Sequence, residues 1–277
     1  MISPVEGNLS YKLIVRRFLT QHCLTQHCLT QRVYKGLCVL AVFWLLGMPS
    51  AWADSLSDRV ERFPYWQQKP TVTVVNKEEL VYPDWMAGTW DVTSTLLQLE
   101  APLAPDLKSP GFEGNRRYLN QPLMFQVRFE PQKKTGLVVG DRTFNSENIS
   151  QAYFGEESDI QIIPDSENPN RQIIDMAGGQ ELVSVVRGRN REQPERDRFL
   201  STEIIYQVFR SPGQIYFNEV ETTTDYQKQD ADHLEAEQLT AIYLSPKDPA
   251  YFRANGSPVA LYRYHLDLRR SSGSASL

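Results

Sequence analysis

Two runs of alternating residues, Phe199 to Arg210 and Gln214 to Tyr226, are joined by Ser211-Pro212-Gly213, and this pair constrains the chain more than any other stretch. In the first run Leu200, Thr202, Ile204, Tyr206 and Val208 share a face. In the second, Tyr216, Asn218, Val220 and Thr222 alternate with Phe217, Glu219, Glu221 and Thr223. A period of two excludes a helix, and a short Pro-Gly turn between two such runs makes an antiparallel hairpin.

The same pattern recurs along most of the chain. Trp90, Val92, Ser94 and Leu96 oppose Thr89, Asp91, Thr93 and Thr95 behind Gly88; Leu123, Phe125, Val127 and Phe129 form another face. Further strands are read at 136–140, 159–164, 171–176, 181–188 and 238–245, and a last one at 259–269. In that last strand Ala260, Tyr262, Tyr264, Leu266 and Leu268 lie opposite Leu261, Arg263, His265, Asp267 and Arg269. Residues 187–198 and 230–235 are charge-rich and read as solvated connections, while 148–154 offers one or two helical turns. About nine or ten strands with little helix make an all-β sandwich or barrel, and the short hairpin turns favour an antiparallel up-and-down β-barrel, in which closure removes exposed edges.

The first 53 residues have a different grammar. Arg32 and Lys35 precede an apolar run from Gly36 to Met48, and Ala51-Trp52-Ala53 follows. A basic, an apolar and a small-residue region in that order make a secretory signal, and the run is shorter than the roughly 20 residues a permanent span needs. Upstream, Leu19 to Cys23 is nearly repeated as Leu24 to Cys28, which reads as a tandem duplication in the leader rather than a metal site. The expected organisation is therefore a cleaved extension (1–53), a leader capping the barrel (54–83), the barrel (84–270) and a disordered tail (271–277).

Removing residues 1–53, with their five basic and one acidic side chains, leaves 24 basic against 33 acidic residues, a formal charge of −9. That surface argues against nucleic acid or anionic lipid as a general partner. Cys23, Cys28 and Cys38 all lie in the extension, so the mature chain has no disulfide and no cysteine nucleophile. His233, with Asp230 and Asp232, offers a metal reading, but fixed clustering is missing and no metal is expected. His265 shares its face with Arg263 and Asp267 rather than with an apolar pocket, which argues against haem, and no cofactor is expected. Glu219 and Glu221 share a face with Thr223 and read as exposed surface.

Aromatic residues expected to point into the barrel are Phe125, Tyr206, Tyr216, Tyr262 and Tyr264. They either line a cavity or fill the core. The segment 100–121 holds Pro102, Pro105, Pro110, Gly111 and Gly114, lacks periodicity, and ends on Arg116, Arg117 and Tyr118; a loop of that length serves as a lid or a docking surface.

Gly88-Thr89-Trp90 on the first strand, the long loop after it and an Arg-bearing final strand together resemble the lipocalin-like, or calycin, pattern. That resemblance implies that Trp90 packs at a closed barrel end and that a late arginine, Arg263 or Arg269, covers it. Separately, Pro83-Asp84-Trp85-Met86-Ala87-Gly88-Thr89-Trp90, Asp141-Arg142-Thr143-Phe144-Asn145, Tyr243-Leu244-Ser245-Pro246 and Val259-Ala260-Leu261-Tyr262-Arg263-Tyr264 are similar to an uncharacterised family of cyanobacterial and plastid proteins. This second resemblance implies a thylakoid lumen or periplasm address and carries no activity. The function expected is that of an exported, monomeric, non-enzymatic binding protein for a small hydrophobic molecule such as a lipid, pigment or isoprenoid. The alternatives are an accessory or assembly factor docking on subunits of a membrane complex and, behind it, an enzyme using carboxylate or tyrosine chemistry in the same cavity.

Overall fold

A computed structural model describes residues 55–155 and 159–272. The signal grammar, the three cysteines, the duplicated histidines and the tail beyond residue 272 lie outside the described residues. Among those described, the strands are β1 (Thr73–Val74), β2 (Val81–Tyr82), β3 (Gly88–Glu100), β4 (Pro122–Pro131), β5 (Val138–Gly140) and β6 (Ile160–Pro164). They continue as β7 (Arg171–Met176), β8 (Gln180–Glu195), β9 (Arg198–Ser211), β10 (Gln214–Lys228), β11 (His233–Leu244) and β12 (Ala260–Arg270). The helices are α1 (Leu56–Glu61), α2 (Phe112–Asn115), α3 (Arg142–Phe154) and α4 (Tyr251–Ala254).

The sheet is antiparallel, in the order β2-β5-β4-β3-β12-β11-β10-β9-β8-β7-β6. Consecutive hairpins build β6 to β12 and β3 to β5, and β12 then returns to pair along β3. The sheet curls into a barrel-like wall, because rings from strands far apart in this order meet. Tyr82 of β2 packs 4.7 Å from Phe129 of β4 and 5.6 Å from Phe199 of β9. Trp90, Val92, Leu234, Ala236, Leu266 and Leu268 join them in one buried cluster. Each of the larger aliphatic side chains among them contributes roughly 1.5–3 kcal/mol by leaving water.

The first part of the leader runs across the outside of this wall rather than over its end, while Leu80 and Tyr82, at the leader's far end, turn into the interior cluster. Ser55 caps α1 by accepting from the Asp58 amide. Beyond the helix, Phe63 and Trp66 pack on Leu239, Ala241, Tyr243 and Leu261, the outward positions of β11 and β12. The chain then pairs β1 with β8 and β2 with β5, linking two strands that are not neighbours in the sheet. Asn170 donates to the carbonyls of Asn76 and Glu78 at 3.2 and 2.9 Å, and Arg191 donates to Val81 O at 2.8 Å. Gly188 permits this crossing, since a Cβ there would sit 2.5 Å from Val72 Cγ2.

Three local readings are also revised. Residues 187–195 extend β8 instead of forming a solvated connection: Arg189 reaches inward to Glu203 at 2.8 Å. Across the next turn, Arg198 makes two hydrogen bonds to Asp225, at 3.0 and 2.7 Å. Residues 233–237 belong to β11, where Leu234 and Ala236 are buried. The expected helical turns are a 13-residue helix, capped by Asp141 and ended at Gly155. Arg142, at its start, forms an ion pair with Glu203 at 2.7 Å and fastens the helix to β9.

Candidate functional site

Inside the curl lie two compartments that meet at Tyr264 and Thr240. The smaller, of about 250 Å³, sits beside the Trp90 cluster and is walled by Phe125, Phe129, Tyr226 and Leu266, with Asn145, Ile149 and Tyr153 of α3 along one side. The larger, of about 530 Å³, is bounded by Phe209, Tyr216, Asn218, Ile242 and Tyr262, and by Ser109, Gly111 and Asn115 from the long loop. Neither lining contains an acidic, basic or histidine side chain.

Register explains which side chains arrive there. Tyr216 and Asn218 pair with Phe209 and Gln207 on β9, so these four share the inner face. Tyr262 and Tyr264 follow from β12, with a bulge just before Tyr264. Asn115 donates to the Tyr262 hydroxyl at 3.2 Å, which ties the loop to the wall. Burial, with Asp248 adding to it, pushes the Tyr216 hydroxyl up to about 12. Burial also holds Tyr264 well above the usual tyrosine value, with the Tyr153 and Tyr262 hydroxyls beside it adding to the effect. These phenols are neutral donors at ordinary pH.

Of the five expected interior aromatics, Phe125, Tyr216, Tyr262 and Tyr264 line the compartments. Tyr206 does not. It pairs with Glu219 on the outward face, where its ring stacks 6.4 Å from Phe217. The loop residues Arg116, Arg117 and Tyr118 do not line the larger compartment either. Tyr118 instead packs edge-on, 5.3 Å from Tyr153, and so braces the helix side of the smaller one, while Arg117 donates to its hydroxyl at 2.7 Å. Arg116 pairs with Glu113 at the surface.

Neither arginine offered for Trp90 covers it. Trp90 is fully buried and donates to Met86 O at 2.8 Å. The guanidinium over its ring is that of Arg270, 4.4 Å from the centroid, whereas Arg263 pairs with Glu237 and Arg269 with Asp267 on the outer side. Arg270 stands directly opposite Trp90 in the β3–β12 register and donates to Ala87 O at 2.9 Å. Its even position, continuing Tyr262 to Leu268, was the available sequence signal. Gly88 keeps a φ of +127°, and a Cβ there would come within 2.5 Å of Arg270 Nη1.

The titratable groups assemble elsewhere. His233 lies 3.1 Å from Asp267 with Glu235 beside it, not with Asp230 and Asp232, but Arg269 already occupies both Asp267 oxygens at 2.9 and 3.2 Å. His265 is exposed on the outer face. Glu221, read as surface, is fully buried beneath the leader, where Arg59, Tyr243 and Thr223 all donate to it. Its outward position was legible from alternation; that a leader helix covers that position was not.

Comparison with curated proteins and with solved structures finds no significant match. A family model, the domain of unknown function DUF6816, matches residues 75–272, from the closing leader strand to the end of β12. That span takes in both compartments and leaves out α1. The chain thus belongs to the DUF6816 family.

Proposed function

We propose that the chain is a non-enzymatic binding protein that carries a small, largely hydrophobic molecule inside its curled sheet. One observation carries this reading: an uncharged, aromatic-lined interior of about 530 Å³ opens beside a second of about 250 Å³. Small-molecule sites are concave, mostly apolar and furnished with a few placed polar groups, at volumes of roughly 300–1,000 Å³. Acid–base chemistry has little support there, because the lining offers no carboxylate, histidine or amine and its tyrosines are held neutral by burial.

Export is part of the same reading. It rests on the signal grammar of residues 1–53 and predicts a lumenal or periplasmic protein beginning after Ala53, which N-terminal sequencing of the accumulated form tests. Native mass spectrometry of the gently purified chain tests binding. A co-purifying lipid, pigment or isoprenoid supports it, whereas a clean apo mass together with no uptake of the neutral dye Nile red refutes it. A clean apo mass with recovery of membrane subunits favours the docking alternative.

A further inference from the structure

We infer that the larger compartment selects a neutral ligand whose polar end is a hydroxyl, and that Asn218 and Tyr216 are the pair that receives it. This rests on the cavity-binding reading and adds the chemical class of the occupant. Asn218 is 5% exposed, yet its Oδ1 has no hydrogen-bond partner, and the Tyr216 hydroxyl beside it meets only the Asn218 amide N–H, which leaves the phenol proton without an acceptor. Both residues line the larger compartment from adjacent inward positions of β10. Buried polar atoms in native proteins are nearly always partnered, because leaving one unpaired forfeits its hydration without replacement. A carbonyl oxygen without a donor and a phenol proton without an acceptor, side by side on one cavity wall, therefore point to a group that belongs between them.

The chemistry of the two atoms is complementary to an alcohol. The carbonyl oxygen of Asn218 accepts, and the phenol of Tyr216 donates. A ligand hydroxyl satisfies both at once, giving its proton to Asn218 and accepting from Tyr216. A ketone or ester satisfies only the phenol, and a hydrocarbon neither. An ionised carboxylate or phosphate meets a harsher obstacle: no Arg, Lys or His lines either compartment, and Asp248 lies close enough to raise the Tyr216 pKa. Burying an unpaired anion costs several kcal/mol. The deeper compartment, walled by Phe125, Phe129 and Leu266, accepts the apolar remainder.

Three probes with one isoprenoid skeleton separate these cases: farnesol, farnesene and farnesoic acid, each competing against Nile red at pH 8 with the full chain. Farnesol is expected to displace the dye at a concentration at least about tenfold lower than either of the others, the equivalent of one hydrogen bond at roughly 1.4 kcal/mol. Asn218→Leu is expected to remove that preference while farnesene competes as before. Tyr216→Phe, which keeps the ring, is expected to reduce it and serves if the first variant does not fold. Equal competition by farnesol and farnesene, tighter farnesoate binding, or an unaltered preference in both variants overturns the hydroxyl assignment and leaves cavity binding standing. Failure of Nile red and of all three probes to bind removes the cavity reading itself.

Discussion

Arg59 of the leader helix holds both oxygens of Glu221 on β10, at 2.5 and 2.6 Å, across 162 residues of chain. Glu221 is fully buried, Tyr243 and Thr223 complete its hydrogen bonds at 2.8 and 2.9 Å, and Trp66 lies 4.0 Å beneath the guanidinium. Desolvation by itself lowers the Arg59 pKa, and Glu221 more than offsets it, so the cation is held more firmly than in water. The pair latches the leader to the outer face of the sheet.

Removal of either partner leaves a charge buried and unpaired. Arg59→Met and Glu221→Leu are each expected to cost roughly 3–5 kcal/mol in urea denaturation, and the double variant much less than their sum. Additive losses would show that the two side chains act independently and would dismiss the latch.

Trp90, Arg270 and Gly88 form a second unit whose failure should be graded. Trp90→Ala is expected to lose roughly 3–5 kcal/mol, as for other buried Trp truncations. Gly88→Ala forces a side chain onto a φ of +127° and into Arg270 Nη1, and a loss above about 1 kcal/mol is expected. Arg270→Ala relieves the contact, so Gly88→Ala should cost less in that background. Thermal midpoints of the three single variants and of the Gly88→Ala, Arg270→Ala double check the order.

Alkaline pH is expected to unfold the protein through its buried phenols. Tyr216 and Tyr226 are pushed up to about 12, chiefly by burial, and Tyr82, Tyr243 and Tyr264 are raised as well. Because their folded values lie above the unfolded value of about 10, the stability they carry is intact below pH 10. It is lost as pH rises towards 12. Stability measured from pH 8 to 12 should fall within that window, and Tyr226→Phe should flatten the fall; a flat profile for the parent chain would contradict it.

The loop over the larger compartment supplies Ser109, Gly111 and Asn115 to its wall, and Asn115 grips Tyr262. Deleting residues 103–114 is expected to speed the release of bound Nile red severalfold in stopped-flow dilution. Unchanged retention with lost association to membrane subunits would instead make the loop a docking surface.

The β class, the hairpin at Ser211-Pro212-Gly213 and the sets of residues that share a face were all legible in the sequence, because period-two alternation is local and survives any tertiary context. Alternation fixes relative orientation only. The outer face is covered as well, by helix α1 over β9 and β10 and by Phe63 and Trp66 over β11 and β12, so Leu200, Thr202 and Ile204 are as buried as the core and alternation placed Tyr206 inside and Glu221 on the surface. Helix α3 was foreshortened for a similar reason. Its Asn-, Ser- and Thr-rich sequence has little intrinsic helix propensity, and it is held by the Asp141 cap and the Arg142–Glu203 ion pair. The orphaned Asn218 and Tyr216 could be seen as neighbours on one strand face from the outset. That they front an uncharged cavity depended on a curl joining β2, β4 and β9, a contact between segments more than 100 residues apart, which no local pattern encodes.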